Sequence, residues 1–535
     1  MMDKLFFNGK IRTLDGADRV TEALGICDGK IAFLGTNEES LAIPCEERID
    51  LKGRLMMPGY VDSHLHMLHY AFVEKSVKLF DCASVEEMLA AAKQKIELQG
   101  EKPLSWLFCR GWNEEQFETP RYPHRKELDA LSTEYPIIMV RVCGHIAVSN
   151  TCGLEKLKKI PNFSEIAKDV DFETGLLKEN AVQFYHSILD APSQEEIEEY
   201  ILYGNQKLNE AGITGIQSDD LASLPGKKWR RILDAFQNLD REGKLTVRIY
   251  EQCLFERTED GKAFIREGFR TGQRGSFFTI GPLKMLQDGS LGAKTAALEG
   301  SYADDNENRG MIIYEQDELG DIIDFCDRHE MQTAIHCIGD RAMNMVIDAI
   351  EKSSNRKNNP KGRHGIVHAQ ITNRNILKKM AQQDILAYIQ PVFMDLDMDV
   401  VESRIGSERM DGVYAWKTML DLGIHTMGGS DAPVVGFDIM ENIYFAVTRK
   451  NAKGQPEAGW IPSERLSVDE AVKLFTKYPA YGSFTEEENG TIELGKNADL
   501  VVLHENIYEV EPEHIKDIKI DMTVSGGRIV FERKE

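Results

Sequence analysis

The chain of 535 residues lacks long hydrophobic runs. It holds no stretch of about eighteen uncharged apolar residues, the length that a membrane-spanning helix requires. The opening residues, MMDKLFFNGKIRTLDG, also lack the apolar core of a secretory signal peptide. We therefore expect a cytoplasmic protein that has no membrane partner.

Basic charge is also scarce. The chain has 64 Lys and Arg against 88 Asp and Glu, a formal net charge of -24. Such a balance offers no basic surface for phosphates, which excludes nucleic acid and anionic membranes as expected partners. Its nine cysteines are scattered, and no CxxC occurs, so we expect reduced thiols and not a disulfide framework.

Both ends of the chain are rich in predicted β-strands. Residues 25–35 form a hairpin candidate around Asp-Gly, and residues 490–505 and 521–534 show alternating apolar strands around glycine turns. Because chain termini often lie close together, we expect residues 1–56 and 485–535 to form one small β-sandwich.

The middle of the chain, residues 57–484, alternates short apolar runs with helical patterns, which predicts parallel βα units. Eight runs are strand candidates: 60–66, 213–218, 245–252, 281–288, 332–337, 364–369, 385–390 and 424–431. Eight such strands with intervening helices predict a distorted (β/α)8 TIM-type barrel in an α/β protein. The long gap after the first strand predicts an inserted α/β subdomain at about 70–205.

Ionisable residues stand where the predicted strands end. In this fold, catalytic groups collect at the carboxyl ends of the barrel strands. Each residue alone has a structural alternative, such as a hydrogen-bonded histidine, a snorkelling lysine or a helix-capping aspartate. Together they predict one metal site at the barrel mouth, formed by His64, His66, Lys284, His336, His368 and Asp431.

The types of these residues suit hydrolytic metal chemistry. Imidazole nitrogens and carboxylate oxygens bind zinc and similar divalent metals, which activate water at neutral pH. Asp431 could take the proton of that water and pass it to a leaving nitrogen. A buried neutral Lys284 could capture carbon dioxide, and the resulting carbamate could bridge two metals.

The chain resembles the amidohydrolase superfamily of metal-dependent hydrolases, and within it the YtcJ-like group called amidohydrolase family 3. The likeness covers nearly the whole length. It is carried by PGYVDSHLH (58–66), GWNEEQF (111–117), CGHIAVSN (143–150), TGLLKENA (174–181), LKMLQDGSLGAKTAAL (283–298), AIHCIGDRA (334–342), RHGIVHAQ (363–370), GGSDAPV (428–434) and GTIELGKNADLVVL (490–503).

The resemblance implies the same barrel and the same β-sandwich built from both termini. It also implies metal-ligand roles for the four histidines, a carboxylated bridging role for Lys284, and a combined ligand and acid/base role for Asp431. One position departs from the family pattern: Val367 precedes His368 where the family usually has glutamate. A carboxylate that orients the metal ligand could therefore be missing.

Five further residues are weaker candidates for contact with a substrate. His145 matches a family position that faces the substrate, and a satisfied buried histidine is the alternative. Trp112 could form an apolar wall or belong to the core, and Arg341 could bind a carbonyl or cap a helix. Asp288 and Gln390 follow the fourth and seventh strands.

Hydrolysis of a non-peptide C–N bond in an amide, N-formyl or N-acyl compound is the leading hypothesis. A deaminase of the same superfamily, using one metal, is the first alternative, and Lys284 at the end of strand four argues against it. A metal-binding protein without turnover is the second, although it would not require Asp431. We expect one or two divalent ions, most simply zinc, a small-molecule substrate and a homodimer.

Overall fold

The computed structural model describes residues 1–99, 105–161, 163–185, 188–356, 359 and 362–534. Its strands, in chain order, are β1 (Met2–Phe7), β2 (Lys10–Arg12), β3 (Val20–Thr21), β4 (Ala23–Cys27), β5 (Lys30–Gly35), β6 (Cys45–Asp50), β7 (Leu55–Pro58), β8 (Tyr60–Leu65), β9 (Val77–Lys78), β10 (Leu107–Trp112), β11 (Ile137–Arg141), β12 (Ile146–Ser149), β13 (Leu176–Lys178), β14 (Ile213–Ser218), β15 (Arg248–Leu254), β16 (Phe278–Leu286), β17 (Thr333–Cys337), β18 (Gly365–His368), β19 (Leu386–Ile389), β20 (Thr426–Gly428), β21 (Leu500–Leu503), β22 (Ile520–Ser525) and β23 (Arg528–Glu532).

Helices separate these strands. They are α1 (Asn37–Ser40), α2 (Met67–Lys75), α3 (Val85–Gln99), α4 (Arg125–Asp129), α5 (Thr151–Leu157), α6 (Phe163–Ile166), α7 (Asn180–Tyr185), α8 (Gln194–Glu210), α9 (Trp229–Arg241), α10 (Thr258–Arg266), α11 (Gln316–Arg328), α12 (Asp340–Lys352), α13 (Arg374–Gln382), α14 (Phe393–Asp397), α15 (Val401–Ile405), α16 (Trp416–Asp421), α17 (Ile439–Thr448), α18 (Val468–Leu474) and α19 (Lys477–Gly482). Among the described residues, none of these helices is long and apolar enough to cross a membrane.

The chain divides into two compact units. The first holds residues 1–67, 202–220 and 236–535, and the second holds residues 68–201 and 221–235. The second unit overlaps the predicted insertion of 70–205 and adds a segment that the prediction did not include. The predicted domain limits at residues 56 and 484 stay a prediction.

An eight-stranded parallel sheet forms the centre of the first unit, in the order β20-β19-β18-β17-β16-β15-β14-β8. All six residues of β14 and all four of β19 are buried. Strands that are covered on both faces have largely apolar sequences, which explains why short apolar runs predicted the positions of these strands. The predicted distorted (β/α)8 barrel is confirmed, and all eight predicted strands are present.

The chain after the last barrel strand closes the barrel against the first. The backbone N–H of Asp431 donates to the carbonyl oxygen of His64 at 2.7 Å, and the N–H of His66 donates to the carbonyl of Ala432 at 2.7 Å. The N–H of Ser430 also donates to the Asp62 carboxylate at 3.1 Å. These bonds fix Asp431 beside the two histidines of the first strand.

Two smaller sheets belong to the first unit as well. One has the order β5-β4-β1-β6, and the other has the order β23-β22-β21-β7-β2-β3. In the second of them, β21 near the end of the chain pairs antiparallel with β7, so that Val501 lies opposite Met57. Strands from both termini therefore share one sheet and one apolar core, as the sequence predicted.

The second unit contains a five-stranded sheet in the order β13-β12-β11-β10-β9. Strands β9, β10 and β11 are parallel, and β12 and β13 are antiparallel additions at one edge. Its core packs Trp112, Ile137, Met139 and Val148 against α3 residues such as Met88. This unit is the extra α/β subdomain that the long gap predicted.

Candidate metal centre

The six predicted site residues meet at the carboxyl ends of the barrel strands. His64, His336 and His368 lie on β8, β17 and β18, and Lys284 lies on β16. The Nζ atom of Lys284 lies 3.2 Å from the Nε2 atom of His64. The ring centroid of His368 lies 5.6 Å from that of His64 and 4.5 Å from that of His336.

Asp431 completes the cluster from the chain after β20. Its Oδ1 atom lies 2.9 Å from Nε2 of His66 and 3.3 Å from Nε2 of His64. Within the described residues, ligand atoms of these three side chains all lie within 4.8 Å of one another, close enough to hold one metal ion. The donors are imidazole nitrogens and a carboxylate oxygen, a set that fits zinc and similar divalent metals.

Each of the four histidines has an oxygen acceptor at its Nδ1 atom. The pairs are His64 with Gln252 at 3.0 Å, His66 with Asp219 in a short contact, His336 with Asp288 at 3.0 Å, and His368 with Gln390 at 2.7 Å. An oxygen acceptor requires the hydrogen to be on Nδ1. With Nδ1 engaged in this way, Nε2 is the nitrogen that each ring can present to a metal, and in His66 it faces the Asp431 carboxylate.

The two glutamine amides are themselves fixed in orientation. The Nε2 group of Gln252 donates to the carbonyl of Ser63 at 3.2 Å, and that of Gln390 donates to the carbonyl of Tyr388 at 3.1 Å. In each amide the oxygen is thus the atom that faces the imidazole. This arrangement supports the assignment of the hydrogen to Nδ1.

Asp288 and Gln390 lie behind histidines. The carboxylate of Asp288 accepts the backbone N–H groups of Ile338, Gly339 and Ala297 at 3.0, 2.8 and 3.0 Å, in addition to its contact with His336. These bonds lock the carboxylate in place. The contacts show an orienting role for both residues, and their predicted contact with a substrate stays a prediction.

The sequence reasoning missed Asp219 and Gln252. Asp219 directly follows β14, and its carboxylate contacts both His66 and Lys284, with a distance of 3.1 Å to the Nζ atom. Gln252 lies on β15. The sequence does carry a signal for both. Asp219 follows the second predicted strand and Gln252 ends the third, the same kind of position that the six candidate metal ligands occupy.

Buried carboxylates surround the cluster. Burial raises the pKa of Asp62 to about 7. Burial would also raise the pKa of Asp219 and of Asp431, but both pKa values fall below the usual range. The charges of His66 and Lys284 outweigh burial for Asp219. The hydrogen bond and charge of His66, with the charge of His368, do so for Asp431.

The histidines differ in their protonation. Burial and the neighbouring Lys284 hold the pKa of His64 well below its ordinary value. Burial and His336 lower the pKa of His368 to about 3. Both rings are therefore neutral at neutral pH, which is the form that binds a metal. For His66, burial is outweighed by Asp219 and Asp431, which raise its pKa well above the ordinary value.

Val367, the departure from the family pattern, is fully buried. It packs in an apolar cluster with Ala334, Leu386, Tyr388 and Met427. The acceptor for His368 comes instead from Gln390, the residue directly after the neighbouring strand β19. His368 therefore has an acceptor that orients its ring even though the family's glutamate is missing.

Three other candidates have different positions. Trp112 is fully buried in the core of the second unit, where its Nε1–H donates to the carbonyl of Met139 at 3.0 Å. That position favours packing over substrate contact. His145 is exposed in the second unit, and Arg341 is half-buried in the first turn of α12. Their predicted substrate contacts stay predictions.

Comparisons with known proteins identify the relatives of this chain. The model of the amidohydrolase family matches residues 47–531. YtcJ of Bacillus subtilis (strain 168), which is assigned to the amidohydrolases, is 33% identical over 548 residues, covering 99% of this chain and 100% of that protein. The N-substituted formamide deformylase of Arthrobacter pascens is 24% identical over 556 residues, and the match covers 100% of this chain and 99% of that protein.

A solved structure shows the same fold. The crystal structure of an uncharacterised metal-dependent hydrolase from Pyrococcus horikoshii OT3 superposes with a TM-score of 0.80. The two chains are 26% identical, and the match covers 96% of this chain and 99% of that one. The chain belongs to the amidohydrolase family and is a metal-dependent hydrolase with a TIM-type barrel.

Proposed function

We propose that this protein hydrolyses the C–N bond of a small amide, N-formyl or N-acyl compound, using a divalent metal held by His64, His66, His336, His368 and Asp431. The observation that carries the proposal is the common orientation of the four imidazoles, whose Nδ1 atoms are all held by oxygen acceptors. The full-length relative that deformylates N-substituted formamides supports the choice of bond.

A metal held by these residues would act as a Lewis acid for the substrate carbonyl and would lower the pKa of water. Zinc is the metal that this donor set favours, with one or two ions per chain. The protein's own residues orient the metal ligands and transfer the proton. The acceptors Gln252, Asp219, Asp288 and Gln390, which lie behind the imidazoles, keep each ring in the tautomer that can bind a metal.

Asp431 carries the proton in the proposed reaction. Its carboxylate takes a proton from the attacking water as the water oxygen forms a bond to the carbonyl carbon. The C–N bond then breaks, and Asp431 returns the proton to the leaving nitrogen. The products are an amine and a carboxylic acid. Its lowered pKa, caused by His66 and His368 against the effect of burial, keeps the carboxylate ionised at neutral pH, the form that can act as the base.

Lys284 would act in this scheme as a carboxylated ligand. Its neutral amine would add to the carbon of carbon dioxide and lose one proton, which gives a carbamate anion with two oxygens. The side chain is 3% exposed and ends between His64 and Asp219, so the new group would form inside the cluster.

A substrate panel tests the proposal. Zinc-loaded protein with bicarbonate is incubated with N-formyl, N-acetyl, cyclic amide, ester and aminopurine compounds, and amine, acid and ammonia are measured. Amine and acid released together, and lost in Asp431→Asn, support the proposal. Ammonia release from the aminopurines would support a deaminase, and the absence of turnover on every amide would contradict C–N hydrolysis of these classes.

A further inference from the structure

Asp219 makes two contacts that no other side chain of the cluster combines among those the structure describes. One carboxylate oxygen contacts the Nδ1 atom of His66, and the other lies 3.1 Å from the Nζ atom of Lys284. Its side chain is only 2% exposed, so water does not compete for either oxygen. Both contacts are therefore fixed in the interior of the barrel.

These contacts link strands that do not neighbour each other. Asp219 follows β14, whose Ser218 pairs with Leu65 next to His66. Lys284 lies on β16, and β15 separates that strand from β14. One carboxylate thus connects His66, directly after the first barrel strand, to Lys284 on the fourth.

We propose that Asp219 is a positioning residue that holds both His66 and Lys284 in the geometry that binds the metal. The inference rests on the proposed function, since it concerns the same metal centre. In this role Asp219 keeps the hydrogen of His66 on Nδ1, so that Nε2 faces Asp431, and it anchors the end of the Lys284 side chain. Loss of such an outer partner typically lowers metal affinity 10- to 100-fold, an order-of-magnitude expectation.

Two substitutions separate the two contacts. In Asp219→Asn, the amide oxygen can still accept from His66, as the amides of Gln252 and Gln390 do for His64 and His368. The amide NH2 group would then face Nζ of Lys284, donor against donor, so only the lysine contact is lost. Asp219→Ala removes both contacts.

The chain offers a matched control. Asp327 is a fully buried aspartate whose Oδ1 atom lies 2.9 Å from Nε2 of His364, the same carboxylate–imidazole pair outside the metal cluster. The carboxylate of Asp327 also accepts from Ser353 at 2.7 Å. Asp327→Asn therefore removes a buried carboxylate from an imidazole without touching a proposed metal ligand.

The test measures cobalt(II) affinity by competition with a chelator, and the visible spectrum of the bound cobalt, for the wild type and the three variants. We expect affinity to fall in the order wild type, Asp219→Asn, Asp219→Ala, with a total loss of about 10- to 100-fold. The cobalt spectrum should change in Asp219→Ala, whereas Asp327→Asn should lower the melting temperature and leave affinity and spectrum unchanged.

Each other result overturns part of the inference. Wild-type affinity in Asp219→Asn overturns the role of the contact with Lys284, and wild-type affinity in Asp219→Ala, which lacks both contacts, overturns the whole inference. An equal loss in Asp327→Asn assigns the effect to general destabilisation and overturns both. Because no substrate is used, these results differ from a failure of the proposed function, which a wild type unable to bind cobalt would show.

Discussion

The Nδ1 atom of His368 lies 2.7 Å from the Oε1 atom of Gln390, a contact between the ends of the sixth and seventh barrel strands. The contact joins a proposed metal ligand to a neutral amide that itself donates to the carbonyl of Tyr388. The side chain after one barrel strand thus orients a candidate metal ligand at the end of the neighbouring strand.

Replacement of Gln390 by leucine should therefore weaken the metal site. The substitution keeps the size of the side chain but leaves the Nδ1 hydrogen of buried His368 without its acceptor. We expect zinc affinity to fall by about 10- to 100-fold in a chelator competition. Gln390→Glu restores an acceptor and serves as the control, and equal affinity in wild type and Gln390→Leu would contradict the orienting role.

Asp431→Asn should strongly reduce turnover while the protein stays folded. An amide cannot take the proton of the attacking water, so kcat should fall by about 10²- to 10⁴-fold. Asp438 in the same loop caps α17 by accepting the N–H of Glu441 at 3.1 Å, and it provides the control. Asp438→Asn should retain activity; a similar loss in both variants would mean that loop stability, not proton transfer, is being measured.

Zinc should stabilise the folded protein. A ligand that binds only the native state adds about 2.7 kcal/mol at a concentration of one hundred times its Kd. The expected result is a rise in melting temperature on addition of zinc to chelator-treated protein. Calcium, which prefers oxygen ligands, should give no such rise at this imidazole-rich site. Equal shifts with both ions would contradict the proposed donor set.

A pH-dependent contribution to stability is expected far from the site. Burial would raise the pKa of Asp324 on α11, but hydrogen bonds from Ser354 and Asn355 and the contact with Arg328 lower it from 3.8 to about 2. Because the folded-state pKa is depressed, the stabilisation is present above about pH 4 and is lost as the pH falls towards 2.

Asp324→Asn should accordingly lower the free energy of unfolding at pH 7 by about 1 to 2 kcal/mol. The difference from the wild type should shrink at pH 3. Denaturant unfolding at the two pH values measures it. A difference that does not change with pH would contradict the assigned cause.

The fold, and the proximity of the six candidate site residues, could be predicted because both follow from local patterns. Buried parallel strands show as apolar runs, and the carboxyl end of each run places its last ionisable residue at one barrel mouth. His64, Lys284 and Asp431 could thus be grouped before any distance was known.

The orienting residues could not be predicted in the same way. The contact of Asp219 with Lys284 joins strands that are not neighbours, so it depends on the width of the barrel and on side-chain rotamers. Trp112 had two possible roles from the sequence, an apolar wall or a core residue, and the structure places it in a hydrophobic core. Local sequence patterns carry no information on contacts between distant strands or on which side of a sheet an aromatic residue packs.

The most direct test of this account is a crystal structure of zinc-loaded protein with anomalous diffraction measured at the zinc edge. We predict anomalous density in the cluster, at about 2.0 to 2.1 Å from Nε2 atoms of the histidines, with Nδ1 atoms still on Gln252, Asp219, Asp288 and Gln390. Zinc bound through Nδ1 atoms, or zinc found only outside the cluster, would contradict the central claim that these acceptors prepare four imidazoles for one metal centre.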